Sequence, residues 1–166
     1  MHQKKLAPQS GGSDLKSETK NSMFQPTGSD DVLALCHMFA NRIGKVFASE
    51  LAKYDVTIAE WRVILSLHKN VSGQEITRRW AMDKMAVNRA IASLEQRGLI
   101  KKVRNDKDRR IIDLSLTRSG QALYEKLLPV ANARYRRLMM GLDKSETKLL
   151  REILIKMIIH ADSIDD

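Results

Sequence analysis

Cysteine is almost absent from this chain. The single one, Cys36, excludes an intrachain disulfide, and such sparing use suits a reducing cytoplasm, the expected location. No apolar run approaches the ~18 residues that a helical membrane span requires. The N-terminus has no apolar signal core, so secretion is not expected. Nor is there a basic helix with a Trp or Leu face to lie on a membrane surface. The four histidines, His2, His37, His68 and His160, form no metal-ligand spacing with one another or with Cys36. There is no glycine-rich phosphate loop and no acid pair at an expected cleft. The expectation is a protein that is not an enzyme and carries no cofactor.

What the chain does have is length and basic charge. Its 166 residues, 43% hydrophobic, suffice for one domain with a real core. The formal charge is +9 and is unevenly spread: residues 72–118 hold twelve Lys and Arg against six Asp and Glu, two thirds of the excess. Basic charge gathered on one module is the electrostatic footprint of nucleic-acid binding.

That segment also has an order. Two short helical patterns, Ser72–Ala81 and Asp83–Arg97, lead to a strand at Lys101–Arg104. A charged turn over 105–110 follows, then a second strand at Ile111–Leu116. Helix, helix, hairpin is the order of a winged helix-turn-helix. In the second helix Val87, Ala90, Ile91 and Leu94 form one apolar stripe. Met85, Arg89, Ala92 and Gln96 fall opposite, with Lys84 and Asn88 at the edge. This face has long polar groups early and little bulk later, as entry into a major groove requires. On the hairpin, Ile112, Leu114 and Leu116 alternate with Asp113 and Ser115, so one face is expected to be buried. Its tip carries Lys107, Arg109 and Arg110, suited to a narrow minor groove. Asp106 or Asp108 is expected to brace an arginine or tighten the turn.

Around this reader the chain is helical. Met1–Gly28 is polar and aperiodic, and reads as a disordered tail. Helix one, about Ser29–Tyr54, carries a long apolar stripe from Val32 through Leu35, Phe39, Ile43, Val46, Phe47 and Leu51 to Tyr54. A stripe of this length suggests burial against both its own lobe and a partner chain. Thr57-Ile58-Ala59-Glu60, Ser72-Gly73-Gln74-Glu75 and Asp143-Lys144-Ser145-Glu146 are capping boxes. Thr117 caps helix five, which runs to about Met140 and in which Pro129 is expected to cause a kink. Gly98 reads as the residue that ends the recognition helix. Leu149, Leu150, Ile153, Leu154, Met157 and Ile158 make the last helix apolar enough to be hazardous on a monomer, which argues for a dimer.

Trp61-Arg62-Val63-Ile64-Leu65, Ile76 to Arg89, Leu94 to Ile100, Asp108-Arg109-Arg110 and Leu116 to Gly120 together resemble the MarR family of bacterial transcriptional regulators, over roughly Asp31 to Ala161. The resemblance implies a mainly α fold with a small two-stranded β wing. A winged helix-turn-helix lobe (57–118) would sit on dimerisation helices from the two ends of the chain (29–56 and 119–166), in a single domain spanning 29–166. By position it makes Lys84, Met85, Asn88 and Arg89 the recognition-helix contacts and Arg110 the wing-tip arginine. The family often has Ser or Thr where this chain has Met85-Ala86. An apolar contact to a thymine methyl is the expected substitute. The resemblance also implies a pocket for small anionic, often aromatic, effectors between helices one, two and five. His37, Arg42, Trp61 and Arg62 are the candidates there, an arginine for the carboxylate and Trp61 for a ring. Each has a plainer reading as well: core packing for Trp61, polar interface for His37 and Arg42.

The expected function is a ligand-responsive regulator, a repressor, that binds a near-palindromic double-stranded operator as a homodimer. Two other readings stay open. One is a basic winged-helix module that binds RNA or protein without duplex readout. The other is a redox-sensing regulator using Cys36, for which a small buried apolar role is the plainer alternative.

Overall fold

In a computed structural model of the chain, residues 31–68, 72–104 and 112–164 are described. The tail Met1–Gly28 lies outside them. Among the described residues six helices and one hairpin follow in order: α1 (Asp31–Ala52), α2 (Ile58–Leu67), α3 (Gly73–Trp80), α4 (Lys84–Gln96), β1 (Ile100–Arg104), β2 (Ile112–Leu116), α5 (Arg118–Met139) and α6 (Lys144–Asp162). The fold is mainly α with a two-stranded antiparallel wing, as the order of patterns predicts. Contacts divide the chain into two units, Met1–Arg42 and Ile43–Asp166. The described part of the first is the opening of α1.

Local chemistry sets the helix starts. All three predicted capping boxes form: the cap side chain of Thr57, Ser72 or Asp143 accepts from the backbone three residues on, and the Glu there returns the bond. Exposed Glu75 is held below the ordinary carboxylate range by the backbone N–H and hydroxyl of Ser72, and exposed Asp143 by Ser145 and the Glu146 N–H. Helix α1 stops at Ala52 rather than Tyr54. The Tyr54 N–H turns back to the Leu51 carbonyl and Asp55 takes a left-handed φ of 60°, which releases the chain toward the Thr57 cap. Pro129 lies inside α5, which continues as one helix across it.

The core of the second unit sits under the hairpin and between α2, α4 and the C-terminal turns of α1. Phe47, Leu51, Ile64, Ile76, Val87, Leu94, Ile100 and Leu127 are buried there. Leu114 and Leu116 pack against it from β2, as the alternation predicts. Helix α6 is the opposite case. It has no buried residue, and Leu149, Ile153, Leu154, Ile158 and Ile159 are all exposed. On α1, Val32, Leu35 and Phe39 in the first unit and Val46 in the second are exposed too.

Candidate nucleic-acid interface

Helix α3, a turn and helix α4 form the candidate interface. Ala81 ends α3 in the left-handed region, φ 44° and ψ 46°, which an alanine adopts only at a cost of about 1 kcal/mol or more. The sharp reversal lets Asp83 cap α4, its carboxylate accepting from the Ala86 N–H at 2.9 Å. The stripe Val87, Ala90, Ile91 and Leu94 is buried, as its spacing predicts. Lys84, Met85, Asn88 and Arg89 stand on the exposed side, with Met85 58% exposed. The first turns of α4 therefore present two cations, an amide and a thioether to solvent, all on a helix locked by its other face. Arg78 and Arg79 on α3 are exposed as well.

Gly98, at φ 66°, ends α4. The Leu99 N–H reaches the Leu94 carbonyl and the Gly98 N–H that of Glu95, a Schellman-type stop. The chain then enters the wing, whose register runs from Ile100↔Leu116 to Arg104↔Ile112. Lys102 on β1 pairs with Glu95 of α4. Lys107, Arg109 and Arg110, and the acids Asp106 and Asp108 expected to brace them, lie outside the described residues.

One part of the site is absent from the sequence reading. Glu60, read there only as a capping partner, is buried and also holds α4. Its Oε2 accepts from the Thr57 N–H at 2.8 Å and the Thr57 hydroxyl at 3.0 Å. Its Oε1 accepts from Ser93 Oγ at 2.6 Å and Arg97 Nη1 at 3.3 Å. Burial works against its charge, but the Ser93 hydroxyl, the Thr57 N–H and hydroxyl, and the Arg97 cation outweigh it and hold the carboxyl below its ordinary value. A lowered folded pKa adds stability above the unfolded value, and that stability is lost as pH falls through the folded one. The melting temperature should thus be flat from pH 7 to about 5 and fall below about 4. In Glu60→Gln, thermal scans across pH should show a shallower acid slope, with Glu75 and Asp143 supplying the remainder. An unchanged slope would show that Glu60 is not held ionised. The one legible hint was that Ser93 and Arg97 lie four residues apart on one edge of α4.

The four predicted effector contacts are not equivalent. His37 and Arg42 are exposed on the first unit, where Arg42 Nη1 donates to the Met38 carbonyl at 3.5 Å. Trp61 is only 4% exposed. Its ring meets Phe47 edge-on at 6.2 Å and stacks on Tyr124 at 6.1 Å, while Tyr124 in turn stacks on His68 at 4.1 Å. Trp61 thus takes the plainer of its two readings, a core residue, because α5 delivers Tyr124 to that face. Arg62 turns elsewhere, with its guanidinium carbon 5.3 Å from the centre of the Trp80 ring. A basic group that the sequence reading did not single out sits nearby. Arg134 of α5 lies over the Phe47 ring at 3.2 Å, and Arg137 pairs with Glu50. Desolvation, and then the like charge of Arg137, lower the Arg134 pKa, against the pull of Glu50. Arg134 Nε and Glu50 Oε2 are buried without a hydrogen-bond partner among the described residues. Cys36 is half-buried and in no disulfide. Among the described residues no group of His, Cys, Asp or Glu is arranged to hold a metal, and no helix is long and apolar enough to cross a membrane.

A MarR family model matches residues 54–111. The HTH-type transcriptional repressor MdtR of Bacillus subtilis (strain 168) is 33% identical over 137 residues, 81% of this chain and 88% of that protein. A MarR/EmrR family transcriptional regulator from Acinetobacter sp. ADP1 superposes with a TM-score of 0.75 at 28% identity, over 82% of this chain and 99% of that one. Bordetella bronchiseptica BpsR, solved to explain regulation of its DNA binding by 6-hydroxynicotinic acid, superposes with a TM-score of 0.68 at 26% identity, over 76% and 97%. A likeness that covers four fifths of the chain in sequence and in fold, and takes in the exposed face of α4, places the chain in the MarR family: it is a DNA-binding transcriptional regulator, not an enzyme.

Proposed function

We propose that this regulator is a repressor that binds a near-palindromic operator as a homodimer and is released by a small anionic, aromatic effector. The observation that carries the reading is the exposed face of Lys84, Met85, Asn88 and Arg89 on a helix whose opposite face is fixed in the core. In the proposal those residues enter the major groove. Lys107, Arg109 and Arg110 at the wing tip take the adjacent minor groove. Two-fold symmetry sets the half-sites about one helical turn apart. The bare apolar face of α6 supports the dimer, since it would be a liability on a monomer.

Two of the relatives support the finer points. MdtR is a repressor, and the DNA binding of BpsR is regulated by an aromatic acid, 6-hydroxynicotinic acid. For the carboxylate of such an effector, Arg134 offers a donor without a partner among the described residues; His37, Arg42 and Arg62 are the donors that the family resemblance implies. The effector would act by population shift, preferring a lobe spacing that no longer matches the half-sites.

The test is fluorescence anisotropy on a duplex selected by the protein from a random pool, with excess nonspecific competitor. One site bound at roughly 10⁻⁸ M or tighter is expected at physiological salt. Arg110→Ala should weaken that binding by about 1–3 kcal/mol, and Arg89→Ala by a similar amount with relaxed preference at one base pair. Unchanged affinity in Arg110→Ala would remove the wing from the interface.

A further inference from the structure

Helix α4 carries the proposed base-reading face, and two kinds of contact hold it. The inner stripe, Val87, Ala90, Ile91 and Leu94, is apolar. Apolar packing is non-directional. It fixes how deeply the helix is seated but resists a small roll only weakly. Directional restraint must come from polar contacts. The tie to the wing, Glu95 with Lys102, joins two exposed side chains and is a weak one.

The tie to α2 is different. One oxygen of the buried Glu60 carboxylate is committed to the Thr57 cap, the other to Ser93 and Arg97 of α4. The group cannot swing without breaking the start of α2. Arg89, Ser93 and Arg97 follow at four-residue steps along one edge of the helix. A groove of 360 Å³ runs beside that edge, lined by Thr57, Glu60, Ala86, Arg89 and Ser93 among others. Arg89, a proposed base contact, thus lies one turn from the hydroxyl that Glu60 holds.

We infer that Glu60 and Ser93 are positioning residues for DNA reading: their hydrogen bond sets the roll of α4, and with it the aim of Lys84, Met85, Asn88 and Arg89. The inference rests on the function proposed above. Hydrogen bonds to base edges demand alignment. Phosphate contacts are sequence-independent and forgiving. Loosening the bridge therefore costs specific affinity and spares nonspecific affinity.

Ser93→Ala removes the α4 end of the bridge and leaves the Thr57–Glu60 capping box intact, while Ser93→Thr restores a hydroxyl. Both are measured as the full chain, well below each variant's melting temperature. The probes are a duplex selected by the wild type from a random pool and a scrambled duplex at the same salt. Ser93→Ala should raise Kd about tenfold for the selected duplex and leave the scrambled one unchanged, while Ser93→Thr recovers most of the loss. Three results would overturn the inference: full specific affinity in Ser93→Ala, equal loss on both duplexes, or no recovery in Ser93→Thr. A wild type that selects no sequence would remove the proposed function as well. A wild type that selects, matched by Ser93→Ala, would remove the bridge alone.

Discussion

Ile158→Glu should yield a monomer that has lost operator affinity by ~10³-fold or more. Ile158 is 60% exposed in the protomer and lies on a helix with no buried residue. A carboxylate there costs the isolated chain little. In the proposed dimer it would be buried in an apolar seam without a partner, which strongly disfavours association. A monomer reads one half-site, so the second lobe's contribution to affinity vanishes. Sedimentation should give the 18.9 kDa of one chain rather than twice that, with helical circular dichroism retained. A variant that stays dimeric and binds the operator normally would show that α6 is not the dimer seam.

Gly120→Ala should destabilise the fold by about 3 kcal/mol, at the upper end for overpacking because the obstacle is main chain. Gly120 is buried in the first turn of α5, and a Cβ there would stand 1.9 Å from the Leu99 carbonyl oxygen and 2.9 Å from its carbon. Neither atom can yield alone. The same carbonyl accepts the Thr117 N–H at 3.0 Å, and the Thr117 hydroxyl donates to the Gly98 carbonyl at 2.7 Å. The methyl would push apart the exit of α4, the root of the wing and the start of α5 together. A melting temperature lower by roughly 10 °C is expected. Gly44→Ala is the contrast, since an added methyl meets nothing within 4 Å there. Relief of glycine's helix penalty should stabilise that variant by about 0.5–1 kcal/mol. Equal melting temperatures for the two variants would refute the close approach at Gly120.

What was legible in the sequence is what depends on neighbours three or four residues apart. The three capping boxes and the Val87–Leu94 stripe belong to this class, and each formed as spacing predicted. The unburied face of α6 was legible too, as more apolar surface than one chain could cover. What escaped depends on distant pairs. Ser93 meets Glu60 across 33 positions and Arg137 meets Glu50 across 87. No local pattern marks the second pair, and only the four-residue spacing of Ser93 and Arg97 hints at the first. Trp61 shows the limit from the other side. Its type and helical position suit a core residue and a ring platform equally, and only the arrival of Tyr124 from α5 decides between them.

The aromatic arrangement also makes the molecule its own reporter. Only two tryptophans are present. Trp61 lies in a dry stack with Phe47 and Tyr124, where α1, α2 and α5 meet. Trp80 is half-buried, with its indole N–H on Ser66 Oγ at 3.0 Å, where α3 leans on α2. Emission from the first tracks the packing of α2 against α1 and α5, and emission from the second tracks the seating of α3 on α2. With one indole replaced by phenylalanine at a time, intrinsic fluorescence separates a shift of α2 against α1 and α5 from a loosening of α3 on α2, with no attached dye.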